Sequence, residues 1–100
     1  MSREYTLEEM QEQFIGHIHA LIDYWENESR ASTTKEKLEG LAFSILTAID
    51  GESLAVPGYQ LIPVTSEENK EYYISQGENY YPEDTDIAGY LHEKFYQFKE

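Results

Sequence analysis

Residues 33–51 read TTKEKLEGLAFSILTAIDG, and this stretch decides the predicted fold. Thr33 stands three residues before Glu36, which is the pattern of a helix capping box. Apolar residues then recur at helical spacing, and from Leu41 to Ile49 they occupy nearly every side of the helix. A helix that is apolar on all sides is a buried one, so this segment is predicted to be the central element. Gly51 follows where a glycine commonly ends a helix.

The chain before this segment predicts a second long helix. Thr6 and Glu9 form another capping box. Behind it an apolar residue recurs every three or four positions, namely Leu7, Met10, Phe14, Ile18, Leu21, Ile22 and Trp25. This spacing predicts an amphipathic helix from about Leu7 to Glu26. Gly40 and Ala42 in the central segment are small enough to let another helix approach closely.

The chain after residue 51 is less regular. Pro57-Gly58 indicates a turn, and Tyr59–Val64 is an apolar stretch that Pro63 would confine to the edge of a sheet if it formed a strand. Residues 66–77 permit two interpretations. Ser66 can cap a short helix that Gly77 ends, or residues 60–65 and 71–76 can pair as a hairpin. The acidic first turn and the terminal glycine favour the helix.

The last predicted helix is capped by Asp84, Thr85 or Asp86 and runs to about Phe98. Its core face comprises Ile87, Leu91, Phe95 and Phe98. The sequence therefore predicts a mainly α protein in a single small acidic domain, residues 1–100. The expected architecture is a small bundle of three to four helices, with an extended segment or a short hairpin near residues 59–76.

The charge balance is the outlying feature of the composition. Twenty Asp and Glu face seven Lys and Arg, which gives a formal net charge of −13. Such a surface repels nucleic-acid phosphates and anionic membranes, and it attracts basic proteins. The alternative is an accessory or housekeeping domain that is acidic only for solubility and forms a homodimer through tyrosine and phenylalanine of its last helix. Forty per cent of the residues are hydrophobic, which is too many for a disordered acidic tail.

The sequence contains no recognisable catalytic or membrane motif. There is no cysteine, the first ten residues are polar and acidic, and no run approaches the length of a membrane span, so a cytoplasmic location is expected. No cofactor and no enzymatic activity are predicted. The hypothesis with the weakest support is a metal-binding protein or enzyme using His17, His19 or His92. These histidines lack the i, i+4 spacing of a helical zinc pair.

Residues 67–86 are the most distinctive stretch. Seven acidic residues stand there against the single Lys70, and the tyrosine pairs Tyr72-Tyr73 and Tyr80-Tyr81 lie among them. Neighbouring residues point apart in regular structure, so one tyrosine of each pair is predicted to pack inward and the other to face solvent. Exposed tyrosines among carboxylates suit an arginine-rich partner surface. The predicted partner-binding residues are Glu67, Glu68, Glu71, Tyr72, Tyr80, Glu83 and Asp84.

Three runs carry a resemblance to other proteins: KEKLEGLAFSIL followed by DG (residues 35–51), GENYYP (77–82) and DIAGYLHE (86–93). They resemble a family of short, uncharacterised acidic bacterial and phage-associated proteins. The resemblance covers about residues 15–96, implies a prokaryotic or mobile-element origin and carries no activity with it. The expected function is a non-enzymatic acidic protein-binding module. It could be a stoichiometric inhibitor or a nucleic-acid mimic that acts on a basic nucleic-acid-binding protein, as an anti-defence protein would.

Overall fold

The computed structural model describes residues 2–64 and 66–98. Within them the chain forms helices α1 (Leu7–Glu26), α2 (Thr34–Ile49), α3 (Glu67–Ser75) and α4 (Leu91–Phe95), and no strand. The predicted mainly α fold is confirmed. The hairpin alternative for residues 66–77 is wrong, although Thr65, at the end of its first strand, lies outside the described residues.

Both long helices begin with the predicted threonine. At α1 the Thr6 hydroxyl accepts from the Glu9 backbone N–H at 3.1 Å, and the Glu9 carboxylate accepts from the Thr6 N–H at 2.9 Å. At α2 the Thr33 hydroxyl likewise accepts from the Glu36 N–H at 3.1 Å. The reciprocal bond is absent there, because the Glu36 carboxylate accepts from the Thr33 hydroxyl instead. The second capping box is thus only half formed.

Helices α1 and α2 meet where the Trp25 side chain crosses Gly40. A Cβ atom at Gly40 would lie 2.6 Å from Cη2 and Cζ3 of the Trp25 ring, which no real side chain tolerates. The Trp25 indole N–H also donates to the Ser44 hydroxyl at 2.9 Å. The contact that α1 makes at Gly40 is through the Trp25 ring, and a hydrogen bond one turn further along fixes it.

The last helix is much shorter than predicted. It begins at Leu91 rather than near residue 85 and ends at Phe95 rather than Phe98. Asp86 does not cap it, because its carboxylate accepts from the backbone N–H groups of Leu61 at 2.7 Å and Ala88 at 2.9 Å. Asp84 at φ 54° and Gly89 at φ 122° also hold backbone conformations that a right-handed helix excludes.

The molecule is open and flat. Its radius of gyration is 17.5 Å and its principal extents are 51 × 48 × 18 Å, whereas a compact chain of 100 residues has a radius of gyration of about 13 Å. Among the described residues only Ala31, Ala48 and Val56 are buried apolar side chains. Every residue from Leu41 to Ile49 is buried or half-buried, as predicted for the central helix. Helix α2 contacts α1 and α4, and α3 contacts no other described helix.

Candidate functional site

Residues 66–86, here called the tyrosine arm, consist of α3 and the loop that follows it. The Ser66 hydroxyl caps α3 by accepting from the Asn69 N–H at 3.3 Å. The helix ends where Gly77 adopts φ 69°, and the Glu78 N–H returns to the Tyr73 carbonyl at 2.9 Å. These are the start and the stop that the sequence predicts, and both are local interactions. The ends of α3 are therefore set within the arm, and α3 contacts none of the other described helices.

Three of the four arm tyrosines face solvent. The exposed fractions are 61% for Tyr72, 48% for Tyr80 and 58% for Tyr81, while Tyr73 is half-buried. The prediction of one inward and one outward tyrosine is correct for the first pair. It is wrong for the second pair, because residues 80 and 81 lie in a loop with no regular alternation of side chains. Tyr73, Asn79, Tyr80 and Tyr81 line a shallow hollow of about 210 Å³.

All seven residues predicted to bind a partner are exposed, and they come from two stretches of the arm. On α3, Glu71 lies three residues after Glu68 and four after Glu67, so these carboxylates share one side of the helix. Glu83 and Asp84 form a turn near the far end of the arm. In the described structure no hydrogen bond joins this turn to the α3 carboxylates.

Lys70 contacts the ring of Tyr80. Its ammonium nitrogen lies 5.2 Å from the ring centroid, within the range of a cation–π interaction. Lys70 is half-buried, whereas the carboxylates beside it are exposed. This contact connects α3 to the loop and brings Tyr80 next to the acidic helix. It also demonstrates, within one chain, how a cation and an arm tyrosine interact.

A second polar arrangement, which the sequence did not predict, centres on Asp50 at the end of α2. Its side chain is fully buried and that of His92 is 16% exposed. The Asp50 carboxylate accepts from the backbone N–H groups of Gly89 at 2.6 Å and His92 at 2.7 Å, and it lies 2.5 Å from His92 Nδ1. Asp50 therefore caps α4, a role usually taken by a residue just before the helix.

Competing effects set the protonation of Asp50. Burial raises the pKa of its carboxyl, but the hydrogen bonds from the His92 ring and from the His92 and Gly89 backbone outweigh burial and leave the pKa below its ordinary value. The carboxylate is thus held ionised as the joint between α2 and α4. The only sequence signal was an aspartate before the helix-ending Gly51, and it does not indicate a partner 42 residues away.

The three histidines do not converge. His17 and His19 lie on α1, and the His92 ring faces Asp50 and packs edge-on against Phe43 at 5.9 Å. Within residues 2–64 and 66–98 no three His, Asp or Glu side chains come together as a metal ion requires. None of the helices in the described part of the chain combines the length and apolar character needed to cross a membrane.

Neither protein-family models, nor curated proteins, nor solved structures match this chain. The resemblance to short acidic bacterial and phage-associated proteins stays a prediction.

Proposed function

We propose that this protein is a non-enzymatic binding module whose tyrosine arm engages a basic, arginine-rich protein surface. The observation that carries the proposal is the exposure of Tyr72, Tyr80 and Tyr81 among carboxylates, on a segment whose helix packs against no other described helix. A tyrosine that packs at the border of the hydrophobic core would be covered by other residues of the same chain. These tyrosines offer apolar area and a hydroxyl at low entropic cost, which is why tyrosine is enriched in interface cores.

The chemistry of the arm favours arginine on the partner. Carboxylates accept bidentate hydrogen bonds from guanidinium groups, and guanidinium planes stack on aromatic rings. The contact of Lys70 with Tyr80 supports this pairing, because a cation already occupies an arm tyrosine in the free protein. A surface that presents carboxylates where a nucleic acid presents phosphates could block a nucleic-acid-binding groove. On this basis the module acts as a stoichiometric inhibitor of a nucleic-acid-binding protein.

The first test measures the affinity for an immobilised arginine-rich peptide at two salt concentrations. The triple variant Glu67→Gln, Glu68→Gln, Glu71→Gln is compared with the control Glu12→Gln, Glu26→Gln, Glu52→Gln, which changes the net charge equally at exposed positions outside the arm. We expect about tenfold weaker binding for the arm variant, since each exposed ion pair contributes roughly 0.2–1 kcal/mol. Equal losses in both variants would show that only net charge matters and would contradict the proposal.

The second test addresses the tyrosines and the inhibitor role. Tyr72→Ala should weaken peptide binding, while Tyr5→Ala, which removes an equally exposed tyrosine outside the arm, should not. Basic proteins captured from a lysate of the source organism are then loaded with fluorescent DNA or RNA. The wild-type protein should displace the nucleic acid in a one-to-one ratio. If the captured proteins keep their nucleic acid at saturating concentrations, the mimic version of the proposal is wrong.

A further inference from the structure

A second surface of the molecule is apolar and uncharged. An open groove of about 430 Å³ runs between α1 and the extended segment after Pro57, and its lining residues are Met10, Gln11, Phe14, Ile49, Tyr59, Gln60 and Leu61. None of them carries a charge, although the whole chain has a net charge of −13. Met10 and Leu61 at its rim are exposed. We call this surface the Met10–Leu61 groove.

The groove has a defined shape because hydrogen bonds fix its far wall. The Tyr59 N–H donates to the Ile49 carbonyl at 2.9 Å, which attaches the extended segment to the end of α2. Its ring lies edge-on against Phe14, with ring centroids 4.8 Å apart. Both backbone polar groups of Leu61 are hydrogen-bonded. Its N–H donates to the Asp86 carboxylate at 2.7 Å, and its carbonyl accepts from the Ile87 N–H at 2.9 Å. These contacts fix the segment that carries the exposed apolar side chains of the groove.

The chain as a whole exposes more area than a compact monomer, which leaves enough surface for a dimer. The area is 8345 Å², whereas a compact monomer of 11.7 kDa exposes about 5,900 Å². The excess, about 2,400 Å² over the whole chain and including the arm, exceeds the roughly 1,000 Å² or more that one protomer buries in an obligate homodimer, where the two partners together lose roughly 2,000–5,000 Å².

We propose that a second copy of the chain covers the Met10–Leu61 groove, in a two-fold dimer that leaves both tyrosine arms free. Two copies with a net charge of −13 each repel one another, so association is favoured at a face whose lining residues carry no charge, as in the groove. The one carboxylate bonded to its wall, that of Asp86, is engaged by the N–H groups of Leu61 and Ala88. A basic partner would find no counter-charge in the groove and is directed to the arm instead. In a two-fold contact the same surface is used by both copies, so the apolar groove of each copy is buried at once. This dimer surface differs from the last helix that the sequence indicated.

The test is the molar mass in solution, measured by sedimentation equilibrium over a wide concentration range. Wild type should have twice the chain mass of 11.7 kDa. Met10→Glu places a carboxylate at the groove rim and should shift the protein to monomer, with at least a tenfold larger dissociation constant. Ile15→Glu is the matched control, because Ile15 is an exposed apolar residue of the same helix that does not line the groove. A monomeric wild type, or equal dissociation by both substitutions, would overturn the proposal.

A labelling experiment covers the case in which Met10→Glu fails to fold. The chain has no cysteine, so Leu61→Cys and Leu54→Cys each create one thiol, in the groove and in an exposed loop outside it. Alkylation at position 61 should slow at least severalfold as the protein concentration rises into the dimeric range, while alkylation at position 54 should keep its rate. Concentration-independent labelling of both variants would exclude the groove as the dimer contact.

Discussion

Gly40 is the residue on which the contact between the two long helices depends. The Trp25 ring occupies the space where a side chain would begin, and moving the ring away would stretch its hydrogen bond to Ser44. We expect Gly40→Ala to lower the free energy of unfolding by about 1–2 kcal/mol, since overpacking typically costs 1–3 kcal/mol and alanine returns part of it through helix propensity.

Gly16→Ala is the control for this prediction, measured in the same urea denaturation series. Gly16 lies within α1 and no atom stands within 4 Å of a Cβ placed there. Only helix propensity acts at this position, so the substitution should stabilise the protein by roughly 0.5–1 kcal/mol. If the two substitutions shifted stability in the same direction, Trp25 would not occupy the space above Gly40.

Asp50 makes the free energy of unfolding depend on pH in the acidic range. The pKa of this carboxyl is lowered in the folded protein, so the unfolded chain binds its proton more tightly. The stabilisation that the ionised Asp50 provides is complete above pH 3.8, the ordinary pKa of this carboxyl. It is lost as the pH falls through the lowered pKa of the folded protein. Asp50→Asn should cost about 1–3 kcal/mol at neutral pH, because an amide cannot satisfy the same buried donors. The variant should also lose less stability than wild type on acidification.

Thermal unfolding across acidic pH checks this, with Asp23→Asn as an exposed control on α1. Some acid sensitivity should remain in Asp50→Asn, because the guanidinium groups of Arg3 and Arg30 lower the pKa of Glu9 and of Glu28 to about 2. Identical acid profiles for wild type and Asp50→Asn would show that the joint does not depend on the charge of Asp50.

At the scale of elements, α3 should be the least protected helix. It has nine residues and lies against no other described helix, and helices shorter than about 12 residues are marginal by themselves in water. Hydrogen exchange of residues 67–75 should approach the rate of an unstructured chain, while residues 41–49 of α2 exchange slowly. Binding of an arginine-rich peptide should protect α3 selectively. Protection of α3 in the free protein equal to that of α2 would contradict this expectation, because none of the other described helices packs against α3.

The elements also show what the sequence alone can predict. The bounds of α1, and the start and stop of α3, follow from contacts among residues three or four apart, and they were predicted correctly. The late start of α4 depends on Asp86, which binds Leu61, and on Asp50, which lies 39 residues from Gly89. No local pattern encodes such pairings. For the same reason the sequence located the acidic tyrosine segment but could not show that both Tyr80 and Tyr81 face solvent.

For the molecule as a whole, charge repulsion should limit stability. The ion pairs between arginine and glutamate in the described residues are Arg3–Glu9 and Arg30–Glu28, so they neutralise few of the twenty acidic groups. Raising sodium chloride from about 10 mM to about 150 mM shortens the screening length from roughly 30 to 8 Å and weakens this repulsion. We expect the melting temperature to rise by about 4 °C, which corresponds to about 1 kcal/mol for a domain of this size. The Glu12→Gln, Glu26→Gln, Glu52→Gln variant carries three fewer charges, so it should melt higher at low salt and gain less from added salt. A melting temperature that is insensitive to salt in both proteins would mean that the carboxylates lie too far apart to repel, and the acidity would then act on partners rather than on the fold.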